Sequence, residues 1–290
     1  MELKVKRLKN WFEMQEISLW TFLMWWYRHR NLENDDERDI NAINYAISNW
    51  IYTFDTAELY ASWYSETLLW EAIKGYNRNK LFIASKVKWS NCSYEAIKKA
   101  CKKSLERIWT DYLDLYYIHW RENQFDLEDC MRALEELKDE WLIKNIWVSN
   151  FSTETMKKAQ SFCKKYKIVA NQVHYNLIFR EAEKDWLLNY CQENDIMLVS
   201  YRPLELWKLA NWWWDLVNSI SEETKKTYSQ IAINWIISQK NVVTIFKSSN
   251  TEHIKENIWS SWWKLNIKEI ENLRENKTGQ IYISDCVKLN

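Results

Sequence analysis

Short apolar runs alternate with charged, amphipathic stretches along most of the chain. The apolar runs are rich in β-branched and aromatic residues and occur at residues 16–19, 51–55, 81–86, 112–119, 144–150, 168–172, 196–201 and 241–247. Nearly all of them are continuously apolar, which is typical of parallel strands covered on both faces. The pattern therefore predicts eight buried parallel strands.

The stretches between these runs carry charges at helical spacing. The clearest are "SYEAIKKACKKSLERI" (93–108) and "DLEDCMRALEELKDE" (126–140), in which opposite charges and apolar residues recur on separate faces. Repeated strand–helix alternation favours an α/β fold of the (β/α)8 TIM-barrel type, with a doubly wound open sheet as the alternative. Because no Pro/Gly/Ser-rich linker divides the chain, we predict a single domain over residues 1–290.

Charge and composition argue against several classes of partner. Forty basic residues balance forty acidic ones, so we expect neither a nucleic-acid partner nor an anionic membrane surface. No run of 18 apolar residues or signal-peptide pattern occurs, which predicts a cytoplasmic protein without a membrane span. The six cysteines are scattered and contain no C-x-x-C pair, so neither a disulfide framework nor a metal site is predicted.

The C-terminal ends of the predicted strands are polar. In a barrel of this type the active site lies at those ends. The residues there are Asp55, Lys86, His119, Ser149, Asn150, Gln172, Tyr201, Lys247 and Ser248. Each alone has a structural explanation, such as a solvated lysine or a buried histidine, but their recurrence at seven of eight strand ends favours a functional site.

Tyr60 follows Asp55 in the segment "FDTAELY" and completes a proton-handling group with Lys86 and His119. A phenol has a pKa of about 10, and a nearby ammonium stabilises its phenolate and makes it a better acid. The carboxylate can hold the lysine in place, while the imidazole orients a substrate oxygen. This set suits protonation of a carbonyl oxygen as hydride reaches its carbon, and the hydride requires a cofactor.

Seven separated motifs resemble those of one family. They are "FDTAELY", "LFIASKVK", "DYLDLYYIHW", "IWVSNFS", "NQVHYN", "SYRPL" and "TIFKSSNTEHIKEN". Over nearly its whole length the chain resembles a bacterial-type aldo-keto reductase. The resemblance implies a TIM-type barrel, a monomer or weak oligomer, that reduces aldehyde or ketone carbonyls of small molecules with NADPH or NADH. Such a barrel needs no G-x-G-x-x-G motif, and the sequence contains none.

The resemblance also implies roles for individual residues. Tyr60 is the implied proton donor, Asp55 and Lys86 lower its pKa, and His119 orients the substrate. Residues implied to bind the nicotinamide half of the cofactor are Trp20, Thr21, Ser149, Asn150, Gln172, Tyr201 and Leu204. Residues implied to bind the adenosine half are Lys247, Ser248, Asn250, His253, Glu256 and Asn257. Trp120 is expected to line the substrate pocket.

The choice between the two cofactors depends on His253. Many family members carry an arginine there, which grips the 2′-phosphate of NADPH. A guanidinium binds phosphate bidentately at any working pH, whereas histidine is only partly charged near neutrality. We therefore expect NADPH, with NADH as the alternative.

Tryptophan is abundant where glycine is scarce. The chain has 21 Trp and 2 Gly, although a protein of this length ordinarily has roughly 20 glycines. Tryptophans stand where the family usually has glycine at Trp20, Trp50, Trp70, Trp109, Trp141, Trp147, Trp259 and Trp262. Trp suits neither a positive φ nor a close backbone approach. Our hypothesis is that UGA codons, which encode glycine in some bacterial lineages, have been read as Trp; the alternative is a chain that truly carries them.

Two other functions remain open at this point. One is a non-catalytic cofactor-binding or regulatory barrel, which has no need to keep a proton donor. The other is a phosphate-handling lyase or isomerase, which does not explain the Tyr–Lys–Asp–His group. Residues 206–220 are interpreted as a flexible loop in which two of three consecutive tryptophans replace glycines, with an aromatic substrate flap or a cofactor-covering loop as the alternative. The C-terminal segment "TGQIYISDCVKLN" is expected to contribute little to closing over a substrate.

Overall fold

The molecule is built around a closed barrel of eight parallel strands. The computed structural model describes residues 2–22, 24, 29–121, 124–211, 214–276 and 279–290. Within them the strands are β1 Val5–Arg7, β2 Glu13–Gln15, β3 Ile17–Trp20, β4 Thr53–Asp55, β5 Phe82–Val87, β6 Leu113–Ile118, β7 Ile143–Ser149, β8 Ile168–His174, β9 Met197–Tyr201 and β10 Val242–Phe246. Strands β3 to β10 follow chain order around the barrel, and β10 closes on β3. The predicted (β/α)8 barrel is therefore confirmed, and the open sheet is wrong.

Helices surround the barrel on its outer face. Those in the described residues are α1 Asp36–Ser48, α2 Tyr64–Ile73, α3 Tyr94–Ile108, α4 Leu127–Asp139, α5 Thr153–Phe162, α6 Glu181–Lys184, α7 Leu187–Glu193, α8 Lys208–Asn211, α9 Asp215–Thr224, α10 Tyr228–Ile237, α11 Thr251–Trp259 and α12 Ile267–Glu275. Helices α3 and α4 match the two charged stretches of the sequence. Each buries one apolar face, which contains Ile97 and Cys101 in α3 and Met131 and Leu134 in α4.

The core has two layers, because each barrel strand points alternate side chains inward and outward. Outward side chains pack against the helices, as Tyr116 and Val148 do. Inward side chains such as Tyr117, Val199 and Val243 form a second cluster inside the barrel. Strand pairing is in parallel register, and it aligns Asp55 with Ala84 and Lys86 with Tyr117.

An N-terminal hairpin that the sequence did not predict closes one end of the barrel. Strands β1 and β2 pair antiparallel, with Val5 opposite Gln15. The ring of Phe12 lies 6.1 Å from that of Phe82, the first residue of β5. The hairpin therefore covers the N-terminal ends of the strands and leaves the opposite end for the site. Its strands have three residues each, too few for a clear periodicity.

Tryptophans occupy backbone positions that favour glycine. Those with positive φ in the described residues are Trp11 (69°), Trp50 (73°), Trp63 (73°), Trp109 (52°), Trp141 (62°), Trp186 (59°) and Trp207 (80°). A non-glycine residue in this region costs roughly 1–2 kcal/mol. Trp50, Trp109 and Trp141 are also positions where the family resemblance expects glycine. Two independent criteria, backbone geometry and family resemblance, thus agree at these three positions.

The other tryptophans that stand where the family usually has glycine differ in their structural surroundings. Trp70 and Trp259 lie in α2 and α11, where positive φ gives no reason for glycine. Trp147 is fully buried inside the barrel, as its spacing from Ser149 predicts, and its ring stacks on Tyr117 at 4.4 Å. The barrel accommodates this indole by stacking, but its Nε1 has no hydrogen-bond partner among the described residues.

No helix in the described part of the chain is both long enough and apolar enough to span a membrane. Segment 206–220 contains α8 and most of α9. Two of its three consecutive tryptophans, at positions 212 and 213, lie outside the described residues.

Candidate active site

A buried ion pair lies at the centre of the barrel mouth. The Lys86 ammonium, at the end of β5, donates to Asp55 Oδ1 at the end of β4, and both side chains are fully buried. Lys86 Nζ also donates to the backbone oxygen of Thr56 at 2.8 Å. The second carboxylate oxygen of Asp55 accepts hydrogen bonds from Tyr117 Oη at 2.5 Å and Gln172 Nε2 at 3.2 Å. Every polar atom of this pair is thus held in place.

Tyr117 is a site residue that the sequence reasoning missed. Tyr117 lies on β6, two residues before His119, which directly follows the strand. Both side chains therefore point into the barrel. This two-residue spacing is the sequence signal from which Tyr117 could have been predicted as a site residue. Burial raises the pKa of the Tyr117 phenol well above 10, and the Asp55 carboxylate raises it further. Tyr117 therefore stays protonated and serves as a hydrogen-bond donor to Asp55.

Tyr60 lies directly against the ion pair. Its side chain is buried, and Lys86 Nζ lies 4.7 Å from the centre of its ring. Burial lowers the pKa of the Lys86 ammonium, while the Asp55 carboxylate raises it. The carboxylate thus favours the charged lysine, and a charged lysine beside the phenol stabilises its phenolate.

His119 lies next to Tyr60. Its ring is edge-on to the Tyr60 ring at 5.6 Å. Burial lowers the pKa of the His119 imidazole well below 6.5, and the charge of Lys86 lowers it further. The imidazole is therefore neutral near pH 7 and can orient an oxygen by hydrogen bonding. Trp120 lies beside it and stacks on Trp89 at 4.1 Å.

The ends of β7, β8 and β9 supply a polar wall opposite Tyr60. Ser149 Oγ donates to the backbone oxygen of Gln172 at 2.9 Å and accepts from Asn150 Nδ2 at 2.9 Å. Tyr201 Oη donates to Asn150 Oδ1 at 3.0 Å. The structure brings these four residues together, as the sequence predicts.

Tyr60, His119 and the polar wall line one cavity of about 590 Å³. Asp55, Lys86 and Tyr117 are fully buried and do not line it. Its walls comprise Trp20, Phe22, Leu59, Tyr60, His119, Trp120, Ser149, Asn150, Gln172, Tyr201, Arg202, Leu206, Asp285, Cys286 and Val287. Thr21 and Leu204 do not line it among the described residues. Thr21 is buried and donates its backbone N–H to the backbone carbonyl oxygen of Asp55 at 3.0 Å. Leu204 is buried in the outer core.

The C-terminal segment covers part of this cavity, so the expectation that it contributes little is wrong. Ile281 forms a bridge with Phe179, and Cys286 Sγ lies 3.3 Å from Tyr201 Oη. The backbone N–H of Asn290 donates to the backbone oxygen of Asn150 at 3.1 Å. No periodic pattern marks the segment because its contacts are irregular and distant in sequence.

A buried histidine, also missed from the sequence, fastens this segment. His174, at the end of β8, pairs through Nε2 with Glu205 at 2.6 Å and through Nδ1 with Ser284 at 2.9 Å. Its ring stacks against Tyr201 at 5.4 Å. His174 therefore links the polar wall to both the loop after β9 and the C-terminal segment.

Trp20 occupies part of the cavity. Its Nε1 donates a hydrogen bond of 2.9 Å to Tyr60 Oη, and its ring stacks on Phe22 at 4.5 Å. Its ring centre also lies 5.9 Å from that of Tyr201. The polar groups of the wall fit a nicotinamide carboxamide. The resemblance places the nicotinamide half of the cofactor at Tyr201, and the Trp20 indole beside that tyrosine conflicts with this expectation.

A second cavity, of about 700 Å³, lies at the end of β10. The predicted adenosine-side residues Lys247, Ser248, Asn250 and His253 line it. Glu256 and Asn257 lie further along α11 and do not line this cavity among the described residues, and the Asn257 side chain is buried. The structure thus places most of the predicted cofactor residues in two cavities, one beside Tyr60 and an outer one.

Known proteins share this architecture and these motifs. The model of the aldo/keto reductase family matches residues 24–277. The chain is 32% identical to methylglyoxal reductase YeaE of Escherichia coli, covering 80% of this chain and 81% of that protein. It is 34% identical to glyoxal reductase of Bacillus subtilis, covering 87% and 84%.

A solved structure gives the same result. An aldo/keto reductase from Klebsiella pneumoniae in complex with NADP and acetate superposes with a TM-score of 0.85 at 28% identity, covering 99% of this chain and 100% of that one. Sequence, barrel topology and the arrangement around Tyr60 lead to one conclusion. The chain belongs to the aldo/keto reductase family.

Proposed function

We propose that this protein reduces small aldehydes and ketones, with α-dicarbonyl compounds such as glyoxal and methylglyoxal as the first candidates, using NADPH. The observation that carries the proposal is the contact of Tyr60 with the buried Lys86–Asp55 pair. The names of the two bacterial reductases support the substrate class. The NADP complex of the Klebsiella pneumoniae relative supports the cofactor.

The residues of the cavity divide the work of the reaction. Bound NADPH supplies the hydride. Tyr60 Oη donates the proton to the carbonyl oxygen, and the adjacent Lys86 ammonium stabilises the phenolate that remains. Neutral His119 orients the same oxygen without competing as an acid. The apolar wall formed by Trp120 and Phe22 limits access of water to this oxygen.

A turnover assay with a matched pair of variants tests the proposal. Purified protein is incubated with NADPH and a panel of aldehydes and dicarbonyls, beside Tyr60→Phe and the exposed control Tyr76→Phe. General acid catalysis contributes about 10²–10⁴-fold, so Tyr60→Phe is expected to lose kcat by that factor while the control keeps it. Equal turnover by Tyr60→Phe and the unaltered protein contradicts the mechanism.

One observation favours a second function, a non-catalytic cofactor-binding or regulatory barrel. The Trp20 indole donates to Tyr60 Oη, the atom that must meet the substrate. In a chain that truly carries tryptophan here, the indole occupies part of the cavity beside the proposed proton donor. Binding of NADPH with no turnover on any carbonyl compound supports this second function.

We propose further that the functional protein carries glycine at many of these tryptophan positions, because a bacterial host reads UGA as glycine. The positive φ of Trp109 and Trp141, both highly exposed, supports this. So does the conflict between Trp20 and the nicotinamide. Intact-mass measurement of protein from the native host tests it: a mass of 35.6 kDa rejects the hypothesis, and a mass lower by one Trp–Gly difference per exchanged site supports it.

The cellular setting is also a proposal. We propose a monomer or weak oligomer in a bacterial cytoplasm. None of the six cysteines, all of which lie in the described residues, forms a disulfide, which suits a reducing compartment. Light scattering after size-exclusion chromatography tests the oligomeric state, and a stable tetramer contradicts it.

A further inference from the structure

The outer cavity lies where the first turn of α1 faces the end of β10 and the start of α11. The residues that line it are Asp35, Glu37, Arg38, Asn41, Trp207, Lys247, Ser248, Ser249, Asn250, Thr251 and His253. The family resemblance accounts for those from 247 onward. It does not account for Arg38, which comes from α1, some two hundred residues earlier in the chain.

Arg38 and Lys247 bring two positive charges to this cavity. Lys247 Nζ donates to Ser249 Oγ at 2.9 Å. Burial lowers the pKa of the Lys247 ammonium, the Asp39 carboxylate raises it, and the Arg38 guanidinium lowers it again. The two cations are thus close enough to repel each other, and a bound dianion relieves that repulsion.

The acidic groups around the cavity differ in what they contact. Asp35 Oδ1 accepts the backbone N–H of Arg38 at 2.9 Å and caps α1. Asp39 is fully buried and accepts from Asn34 Nδ2 at 3.1 Å. Burial raises the pKa of the Asp39 carboxyl, whereas hydrogen bonds from Ser249 and Asn34 and the charges of Lys247 and Arg38 lower it. Glu37 remains as an exposed carboxylate at the rim.

The position where the family often has arginine is poorly placed to bind phosphate here. The ring of His253 lies 4.7 Å from that of Trp207, which covers it. Its Nδ1 is buried and has no hydrogen-bond partner among the described residues. Arg38, by contrast, has 55% of its side chain exposed. Its Nε lies 4.0 Å from Asp39 Oδ1, and this long ion pair loosens when the guanidinium turns toward a ligand in the cavity.

We propose that Arg38, together with Lys247, binds the 2′-phosphate of NADPH and is the residue that selects NADPH over NADH. It takes the role that the resemblance gives to an arginine at position 253. This inference rests on the proposed function only in that the ligand is a nicotinamide cofactor. A planar guanidinium suits a phosphate better than an ammonium does, because it donates two parallel hydrogen bonds.

Calorimetry with cofactor fragments tests this without any turnover. Adenosine 2′,5′-bisphosphate and 5′-AMP are titrated into the full chain and into Arg38→Ala, Arg38→Lys and the exposed control Arg132→Ala. Loss of a charge-assisted phosphate contact weakens binding by about tenfold or more. We expect a loss of this size in bisphosphate affinity with Arg38→Ala, a smaller loss with Arg38→Lys and none with Arg132→Ala. The affinity for 5′-AMP is expected to stay unchanged in all three variants.

Several results overturn the inference. One is equal affinity of the unaltered chain for the two fragments, which means that the acidic rim dominates and the free 2′-hydroxyl of NADH is accepted. Others are binding of neither fragment, equal weakening of both by Arg38→Ala, or no weakening of the bisphosphate. Because the readout is fragment binding, a chain that reduces no carbonyl compound can still pass this test, and an active one can fail it.

Discussion

The indole nitrogen of Trp20 donates a 2.9 Å hydrogen bond to the phenol oxygen of Tyr60. The two residues lie 40 positions apart, at the end of β3 and on the loop after β4. The contact joins the proposed proton donor to one of the two tryptophans that line the cavity. The indole takes up space beside the phenol oxygen, so we expect the size of the residue at position 20 to affect access of a carbonyl compound to Tyr60.

Replacing this tryptophan is expected to raise activity. Trp20→Gly removes one hydrogen bond to Tyr60, worth about 0.5–1.5 kcal/mol, and frees space beside Tyr201. We expect kcat/KM for small aldehydes to rise by about tenfold or more, with tighter NADPH binding. The control is Trp141→Gly, because Trp141 lies outside the cavity and is 85% exposed. Unchanged kcat/KM in Trp20→Gly shows that the indole does not obstruct the site.

The buried ion pair gives a second prediction. Lys86→Met leaves the Asp55 carboxylate buried and unpaired, which costs about 3–5 kcal/mol of unfolding free energy. The double variant Asp55→Asn with Lys86→Met removes both charges and is expected to recover most of that stability. Both variants are expected to lose turnover, because without the Lys86 ammonium no positive charge stabilises the phenolate of Tyr60.

Urea unfolding and steady-state kinetics on the two variants separate these effects. A double variant that is no more stable than Lys86→Met contradicts the unpaired-charge explanation. Wild-type kcat in Lys86→Met contradicts the role of the ammonium in the reaction.

His119 predicts a pH dependence of stability. Its pKa in the folded protein lies well below 6.5, the value in an unfolded chain. Between those two values the unfolded chain binds a proton that the folded one does not, so stability falls as pH drops below 6.5. The slope from this one group is at most about 1.4 kcal/mol per pH unit.

Substitution isolates this contribution. His119→Gln is expected to flatten the acid side of the stability profile measured by urea unfolding between neutral and mildly acidic pH. The control His29→Gln alters an exposed side chain and is expected to leave the slope unchanged. An identical slope in His119→Gln and the unaltered protein rejects the prediction.

The left-handed tryptophans predict stabilising substitutions. Trp141 has φ 62° and is 85% exposed, so Trp141→Gly relieves backbone strain and loses little burial. Relief of about 1–2 kcal/mol per site is expected, measured as a rise in Tm. Trp259→Gly is the matched control, because Trp259 is 47% exposed but lies in α11, where glycine lowers helix stability. A fall in Tm for Trp141→Gly contradicts the strain argument.

Much of the fold and of the catalytic group could be predicted from the sequence because their signals are local. Continuous apolar runs such as 196–201 predicted all eight barrel strands, and polar residues at the ends of seven of them marked the mouth. Asp55, Lys86 and His119 were found in this way, and the barrel register brings them together. Tyr60 was found through its motif.

The residues that the sequence analysis missed are brought to the cavities by contacts between distant segments of the chain. Tyr117 looked like one more apolar strand residue until its hydroxyl was placed on Asp55. His174 and Ser284, 110 residues apart, meet only because the C-terminal segment returns across the mouth. Arg38 likewise reaches the outer cavity only because α1 packs beside α11. No pattern within a window of sequence encodes such contacts.

The sequence by itself determined the barrel, because burial of each strand on both faces requires continuous apolar residues. It also determined which polar side chains stand at the strand ends, and it showed the shortage of glycine. Only the tertiary structure decided which of those side chains touch, which tryptophans have positive φ, and that one indole caps Tyr60. The physical reason is that alternation and composition are properties of neighbours along the chain, whereas distances, burial and pKa shifts depend on atoms that meet only in the closed barrel.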